Sequence, residues 1–256
     1  MPGITIYKHN LPFCLCGAVR STLNQVKKRG ALVYKDATEL AQIIDQTLAK
    51  PDATLNDLSA ACELAKKYGF ACVVVNSSYV AQARNLLSNT LIKVCATVGF
   101  PHGSSTTTVK IFEAMESIKN GASEVDIVAN IGMVKSGRFD FVEVDIKNVI
   151  ALTPQKVHTV VIETGSLAID EITRICQIAM RTGAHFIKTS TGYGSRGTTM
   201  DDVRLIRRVV DTSCRIKACG GIMDLTTVMN MIAVGADRID TSAGSAIMEE
   251  YLKKSA

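Results

Sequence analysis

Hydrophobic and polar positions alternate along the chain in one repeated pattern from about residue 38 onward. A short apolar run rich in β-forming residues ends in a cluster of Gly, Ser, Thr, Asn or Pro, and a segment of helical period follows. Strands that alternate with helices in this way predict parallel strands joined by crossover connections. The eight runs are AQIIDQTL (41–48), ACVVVN (71–76), IKVCATVGF (92–100), EVDIVANIG (124–132), HTVVIETG (158–165), HFIKTSTG (185–192), RIKACGG (215–221) and DRIDTSAG (237–244).

The segments between the runs carry the start and stop signals of helices. In TLNDLSAACELAKKYG, Thr54 is a predicted N-cap and Gly69 follows the last turn. Eight strand-and-helix units predict an α/β fold, a (β/α)8 TIM barrel, which we assign to residues 38–256. The alternative is an open doubly wound sheet, which usually carries a glycine-rich nucleotide loop. Neither GxGxxG nor GxxxxGKS/T occurs in the chain.

Residues 1–37 lie outside this pattern and are predicted to form an N-terminal arm or an extra helix. The first 35 residues contain no acidic side chain, which is also a feature of targeting peptides. However, Pro2, Gly3 and Pro12 interrupt an amphipathic helix, and the apolar run LPFCLCGAV lacks a small-x-small cleavage site. No apolar run reaches the roughly 18 residues of a membrane-spanning helix, so no membrane partner is expected.

Composition and charge remove several classes of function. The formal net charge is +5, but the first 40 residues carry six basic and two acidic side chains, which leaves +1 for residues 41–256. That part lacks the basic surface expected of a nucleic-acid-binding protein. The eight cysteines form no CxxC pair, and the four histidines show neither HxH nor HExxH spacing. We therefore expect buried thiols in the reducing cytoplasm and no metal site.

Polar side chains occur near the carboxyl ends of most of the predicted strands. Each one alone is compatible with a satisfied polar group in a barrel core. Barrel enzymes build their active sites at this end, so the recurrence favours a site there. The side chains are Asp45, Asn76, Asp126, Asn130, Glu163, Lys188, Lys217 and Asp240.

Lys188 and Lys217 interrupt apolar runs on consecutive predicted strands, which lie about 4.8 Å apart in a sheet. Two ammonium groups that face one barrel mouth at ~5 Å would repel each other by roughly 3 kcal/mol, which predicts a depressed lysine pKa. A neutral amine near pH 7 is what attack on a carbonyl and Schiff-base formation require. The alternative for each lysine is that its amine reaches solvent, as strand-end lysines commonly do.

Two further features complete a candidate site. Asp126 lies between apolar neighbours on the fourth run and is predicted to face the same mouth, where a carboxylate can transfer protons. The glycine clusters ACGGIMD (218–224) and DTSAGSAIM (240–248) each lead from a strand into a helix. Loops after the seventh and eighth barrel strands are a recurrent place for phosphate binding.

At these residues the sequence resembles the deoxyribose-phosphate aldolase family. The motifs EVDIVANIG, VIETG, FIKTSTGYG, IKACGGI and RIDTSAG occur in this order, and IDQTLAKP and VGFPHG extend the resemblance over about residues 38–250. It implies a class I, metal-independent aldolase that uses no cofactor. Such an enzyme reversibly cleaves 2-deoxy-D-ribose 5-phosphate into D-glyceraldehyde 3-phosphate and acetaldehyde, in the catabolism of deoxyribonucleosides.

The resemblance also implies roles for individual residues. Lys188 would form the Schiff base, and Lys217 would perturb its pKa and transfer protons together with Asp126. The positions that it assigns to substrate and phosphate binding are Gly192, Gly220, Gly221, Ser242, Asp45 and Thr47.

Two positions depart from the family pattern. Asp240 stands in place of a glycine and Ala243 in place of a serine, and both lie near the expected phosphate site. A carboxylate beside a phosphate is unfavourable unless it is neutralised. We expect Arg238, two residues earlier on the same strand face, to neutralise Asp240.

Two other functions stay open at this point, a sugar-phosphate isomerase and a barrel that binds a phosphorylated metabolite without turning it over. The lysine pair argues against the isomerase, which needs no imine, while Asp240 leaves the binding protein open. The expected partner is a small phosphorylated sugar. The oligomeric state is left open, with a homodimer or a higher homo-oligomer among the alternatives.

Overall fold

The computed structural model describes residues 36–255, except 211 and 213. Within them eight parallel strands close into a barrel, in which each strand pairs with the next and the last pairs with the first. The predicted (β/α)8 barrel is confirmed, whereas the predicted N-terminal arm lies outside the described residues except for its last two positions. The strands are β1 (Ile44–Leu48), β2 (Cys72–Asn76), β3 (Lys93–Val98), β4 (Glu124–Val128), β5 (Val157–Val161), β6 (Phe186–Lys188), β7 (Arg215–Cys219) and β8 (Arg238–Thr241).

Helices connect successive strands and surround the barrel. None of those in the described ranges is long and apolar enough to cross a membrane. They are α1 (Ala37–Ala41), α2 (Leu55–Tyr68), α3 (Val80–Leu86), α4 (Thr107–Lys119), α5 (Ile131–Lys135), α6 (Phe139–Ala151), α7 (Ile169–Arg181), α8 (Met200–Val209), α9 (Leu225–Ala233) and α10 (Gly244–Ser255).

Helix α2 shows that the start and stop signals act as predicted. The Thr54 hydroxyl accepts a hydrogen bond from the backbone of Asp57, and the Asp57 carboxylate accepts one from the backbone of Thr54, which forms a capping box. The helix ends at Gly69, whose φ of 73° lies in the left-handed region that glycine adopts without strain.

Two of the predicted runs end as strands earlier than their apolar pattern suggests. The fourth run is a strand to Val128, and Asn130 then accepts a hydrogen bond from the backbone of Met133 and caps the short helix α5. The sixth run is a strand only over Phe186–Lys188, so its Thr/Ser/Gly tail begins a loop that reaches helix α8 at Met200. This loop brings polar side chains and backbone to the barrel mouth.

Alternation along the strands separates an aliphatic layer from a charged interior. On β4, Val125 and Ile127 pack outward with Ala114 of α4 and Val149 of α6. The intervening Glu124 and Asp126 are buried inside the barrel and contact Lys217. Successive residues of a strand point to opposite faces, so one short run supplies both the packing against the helices and the chemistry within the barrel.

Cysteines contribute mainly to packing. Six of them, at positions 62, 72, 95, 176, 214 and 219, are buried, and none of these six forms a disulfide. The expectation of buried thiols is confirmed for these positions. The remaining two, Cys14 and Cys16, lie outside the described residues.

Candidate active site

The two strand lysines lie side by side inside the barrel. Lys188 of β6 and Lys217 of β7 are register partners, and their side chains are 2% and 0% exposed. Asp126 lies between them, with its Oδ2 3.1 Å from the Lys188 Nζ and its Oδ1 3.4 Å from the Lys217 Nζ. The structure thus brings together the three predicted catalytic residues, and the alternative in which the lysines reach solvent is excluded.

Further carboxylates surround each ammonium group. The Lys188 Nζ donates to Asp240 Oδ2 at 2.6 Å, a shorter contact than its bond to Asp126. The Lys217 Nζ lies 3.3 Å from both Asp45 and Glu124. A charged network of alternating sign therefore fills the barrel interior.

This network reverses the predicted effect on the lysine pKa. Burial lowers the pKa of the Lys188 ammonium, but attraction to the carboxylates of Asp240 and Asp126 outweighs burial and holds the pKa well above its usual value. Burial acts in the same way on Lys217, and Asp126 and Asp45 raise its pKa. The prediction that Lys217 depresses the pKa of Lys188 is wrong for this arrangement, because nearby carboxylates outweigh the repulsion between two ammonium groups.

The carboxylates themselves divide into two kinds. Burial raises the pKa of Asp126, but Lys217 and Lys188 outweigh burial and hold it well below its usual range, so Asp126 is ionised and a weak proton acceptor. Burial raises the pKa of Asp45 despite the nearby Arg238 and Lys217. Both lysines are therefore expected to carry a proton, and each proton can pass to a carboxylate that contacts the lysine.

A cavity of about 460 Å³ opens above this network at the carboxyl ends of β1, β6, β7 and β8. Its wall includes five of the six positions assigned to substrate and phosphate. These are Thr47, Gly192, Gly220, Gly221 and Ser242, and Asp240 lies on the same wall.

The glycines of this wall adopt conformations that other residues rarely reach. Gly192, Gly220 and Gly221 have φ values of 86°, 101° and 76°. The loop after β6 also approaches the loop after β7 closely, and a Cβ on Gly197 would lie 2.6 Å from the carbonyl oxygen of Gly220. Glycine therefore lets the backbone itself form the wall, as anion-binding loops require.

Two sequence predictions about this wall need correction. Asp45 does not line the cavity; it is buried below it, where it contacts Lys217 and forms a short hydrogen bond with Arg238. Arg238 does not neutralise Asp240, because its guanidinium pairs with Asp45 and Glu124. Lys188 supplies the cation for Asp240 instead, since its ammonium reaches across from β6 to β8.

Glu163 was one of the strand-end polar side chains of the sequence analysis but received no individual role there, although it shapes the loop after β6. Its carboxylate accepts hydrogen bonds from the Ser190 hydroxyl at 2.9 Å and from the Thr191 backbone at 2.9 Å, and a short one from the Thr191 hydroxyl. Glu163 has a φ of 50°, which is unusual for a residue other than glycine and is held here by the hydrogen bonds of its side chain and neighbours. The motif VIETG was the available signal.

The sequence analysis also gave no role to Tyr193. Its hydroxyl donates to the carbonyl of Ala49 at 3.2 Å and its ring packs edge-on against Phe100. It thus bridges the loops after β6 and β1 and forms one side of the 460 Å³ cavity. Lys50, with its neighbour Asp57, lies on the rim of the same cavity.

A parallel eight-stranded barrel with a buried lysine pair beneath a cavity is an arrangement that suits an enzyme of small carbonyl compounds. Comparison with known proteins makes this specific: residues 39–247 match the model of the DeoC/LacD family of aldolases, and the chain belongs to that family. It is an aldolase.

Individual relatives agree with this assignment. The chain is 43% identical over 217 residues to a deoxyribose-phosphate aldolase of Thermoanaerobacter sp. strain X514, a match that covers 84% of this chain and 97% of that protein. The solved structure of the aldolase QR15 superposes with a TM-score of 0.81 at 40% identity, covering 85% of this chain and 97% of the other. A tetrameric deoxyribose-phosphate aldolase from Aeropyrum pernix superposes with a TM-score of 0.82 at 27% identity, over 93% and 99% of the two chains.

Proposed function

We propose that this aldolase reversibly cleaves 2-deoxy-D-ribose 5-phosphate to D-glyceraldehyde 3-phosphate and acetaldehyde through a Schiff base on Lys188. The observation that carries the proposal is the position of the Lys188 amine, which is buried and contacts two carboxylates, one of which, Asp240, lines the cavity. The relatives named deoxyribose-phosphate aldolase support this substrate. The step belongs to the catabolism of deoxyribonucleosides.

In the cleavage direction the aldehyde carbon C1 of the open-chain sugar condenses with the Lys188 amine, and water leaves. The resulting iminium withdraws electrons, so the C3 hydroxyl gives up its proton, C3 becomes a carbonyl and the C2–C3 bond breaks. The electron pair of that bond forms an enamine on C2 and C1, and D-glyceraldehyde 3-phosphate departs. Protonation of C2 and addition of water then release acetaldehyde and restore the amine.

Lys217 and Asp126 serve the proton transfers of this cycle. They contact each other at 3.4 Å, and Asp126 also contacts Lys188, so a proton can pass along a short path without leaving the barrel. The high pKa of Lys217 makes it a proton store rather than a source of repulsion. Lys217 keeps the positive charge when Lys188 becomes neutral in the enamine.

The phosphate of the substrate is assigned to the wall formed by the loops after β6, β7 and β8. Gly192, Gly220 and Gly221 expose backbone there, and Ser242 adds a hydroxyl two residues before helix α10 begins. The N terminus of a helix carries partial positive charge that favours a phosphate. Lys50 on the rim is a further cation within the same cavity.

Borohydride trapping tests the Schiff base directly. With acetaldehyde, the native protein is expected to acquire an irreversible adduct that peptide mass spectrometry places on Lys188. Lys188→Ala should lose both the adduct at position 188 and cleavage of deoxyribose 5-phosphate, because the amine that forms the proposed imine is gone. Lys66→Ala is the matched control, since Lys66 lies on the surface beside Glu63, and it should keep wild-type activity.

The same assays separate the competing functions. An isomerase would turn over a sugar phosphate without any adduct, and a binding protein would form an adduct without cleavage. Preincubation with EDTA should leave cleavage unchanged, since lysine and carboxylates carry the proposed chemistry. Activity lost to EDTA and restored by a divalent metal would overturn the Schiff-base mechanism.

The remaining proposals concern the binding partners, the cellular location and the oligomeric state. The chain is proposed to act on small phosphorylated sugars without nucleic acid or membrane, to reside in the cytoplasm and to form a homodimer or a higher homo-oligomer. The six buried cysteines without disulfides support the cytoplasmic location, and the tetramer of the Aeropyrum pernix relative supports self-association. Light scattering after size-exclusion chromatography measures the oligomeric state.

A further inference from the structure

Asp240 lies at a position where the aldolase family that this chain resembles has a glycine. Its carboxylate contacts the Lys188 amine, which is proposed to form the Schiff base. The Lys188 Nζ lies 2.6 Å from Asp240 Oδ2, compared with 3.1 Å from Asp126 Oδ2. Asp240 is also part of the cavity wall. Among the described residues, it is the one carboxylate that both contacts this amine and lines the cavity.

The surroundings hold the Asp240 carboxylate in a fixed position. Its Oδ1 accepts a short hydrogen bond from the Thr47 hydroxyl of β1 and a contact from the Cys219 thiol of β7 at 3.5 Å. Its Oδ2 is left to the Lys188 ammonium. The other two aspartates of the network are each shared with a second cation: Asp126 contacts both lysines, and Asp45 contacts Lys217 and Arg238.

This arrangement raises a chemical requirement that the lysine pair does not meet. Two carboxylates, at 2.6 and 3.1 Å from its Nζ, favour the ammonium form of Lys188 and hold its pKa well above the usual value. An ammonium group cannot attack a carbonyl, so a base must remove a proton first. For this first proton, Asp126 is less suited than Asp240, because both of its oxygens contact lysines and it does not line the cavity that the carbonyl enters.

We infer that Asp240 is a catalytic residue of this chain that carries protons from the Lys188 nitrogen to the carbonyl oxygen of the substrate during imine formation. The inference rests on the Schiff-base role proposed for Lys188. Asp240 would form an internal acid–base pair with that amine, so that no proton needs to be exchanged with solvent.

The step balances without any further reactant. Asp240 takes one proton from the ammonium, the amine electron pair forms the C–N bond, and the carbonyl electron pair moves to oxygen, which takes that proton from Asp240. Asp240 then takes a second proton from nitrogen and gives it to the hydroxyl, the C–O bond breaks, and water leaves. The products are a protonated imine, one water and an Asp240 carboxylate that faces the new cation.

Rapid-quench trapping with acetaldehyde and borohydride tests this role over the pH range of about 6 to 9. The wild type should form the adduct at a rate that varies little with pH, because its proton moves internally. Asp240→Asn keeps the shape but cannot accept the proton, and it should be at least ~100-fold slower near pH 6, as loss of a general base commonly is. Its rate should rise with pH, since the proton must now leave to solvent.

Asp140→Asn is the matched control. Asp140 lies exposed on helix α6 and pairs with Arg138, the residue just before that helix. This variant should follow the wild type at every pH. An Asp240→Asn protein that forms the adduct at the wild-type rate with the wild-type pH dependence would overturn the role of Asp240. Failure of the wild type to form any adduct on Lys188 would instead overturn the proposed function.

A second variant covers the case in which Asp240→Asn does not fold. Asp240→Gly creates space beside the Lys188 amine and introduces the residue of the resembling family. Added formate should then accelerate adduct formation, because a small carboxylate can occupy the vacated position. Formate that leaves the rate of this variant unchanged, while circular dichroism shows a folded protein, would contradict the inference.

Discussion

At the scale of single residues, the chemical environment of each buried charge decides its function. Three lysines of the described chain are almost fully buried: Lys110, Lys188 and Lys217. Lys110 pairs with one carboxylate and one backbone carbonyl on the outer side of the barrel wall, and it is absent from the lining of the 460 Å³ cavity. Lys188 and Lys217 contact Asp126 together, and Lys188 also contacts Asp240 of the cavity wall, so this pair is the one proposed to react.

Glu163 provides a prediction at this scale. Glu163→Ala removes the acceptor for Ser190 and Thr191, so the loop that carries Gly192 loses charge-assisted hydrogen bonds worth about 1.5–3 kcal/mol each. We expect the KM for deoxyribose 5-phosphate to rise roughly 10-fold or more by steady-state kinetics. The rate of adduct formation with acetaldehyde, which has no phosphate, should stay near that of the wild type.

Glu163→Gln is the conservative control for this role. Its amide oxygen can still accept from the Thr191 backbone, so most of the loss in KM should be recovered. An unchanged KM in Glu163→Ala would show that the loop holds its shape without the carboxylate.

At the scale of elements, loops and helices are anchored to the strand ends that carry the chemistry. The Lys110 Nζ of α4 donates to the carbonyl of Val128 at 2.9 Å and to Asp145 of α6 at 2.6 Å. Thr107 at the start of α4 donates to the second oxygen of Asp145. These bonds tie two helices to the end of β4, two residues after Asp126.

Lys110→Met tests this anchor. It removes the cation and leaves the Asp145 carboxylate buried and without its ion-pair partner, which should lower the free energy of unfolding by about 3–5 kcal/mol. Denaturant unfolding followed by circular dichroism measures the change. The double variant Lys110→Met/Asp145→Leu should recover much of the loss, because it removes the remaining charge as well. A double variant as unstable as the single one would show that packing, not the unpaired charge, is responsible.

At the scale of the whole molecule, the two ends of the barrel differ: the cavity lies at the carboxyl ends of the strands, and a buried histidine lies near the amino end of β5. His158 lies near the amino end of β5, where its Nε2 is 2.7 Å from the Thr153 hydroxyl and its ring stacks on His185. Burial, with a smaller contribution from His185, lowers the pKa of His158 to about 4. The native protein therefore holds this ring neutral at pH values where the unfolded chain protonates it.

This difference predicts a loss of stability in mild acid. The pKa of His158 is lower in the folded state than the unperturbed value of about 6.5, so its contribution is complete above that value and is lost as pH falls toward 4. Between pH 7 and pH 5 we expect the free energy of unfolding to fall by about 1–2 kcal/mol from this group. Urea unfolding at a series of pH values measures the slope.

His158→Gln is the appropriate comparison, because an amide can keep a hydrogen bond to Thr153 but does not titrate. Its stability should change less between pH 7 and pH 5 than that of the wild type. Equal slopes for the two proteins would mean that His158 protonation does not govern acid stability in this range.

The sequence by itself determined the barrel, the order of its strands and the neighbouring positions of Lys188 and Lys217. These follow from local periodicity and from the rule that consecutive strand-and-helix units lie side by side, so no distant contact is needed. Asp126 could also be placed, since alternation on β4 fixes which residues face inward.

Only the tertiary structure decided which charges meet across the barrel. Asp240 contacts Lys188 from 52 residues away, and Arg238 contacts Asp45 from 193 residues away, because closure brings β8 against β1 and aims side chains toward a common axis. Repulsion between two neighbouring lysines could be read from their strands, but the carboxylates that outweigh it come from β1, β4 and β8. The protonation state of the central amine therefore depends on distances that no local pattern in the chain encodes.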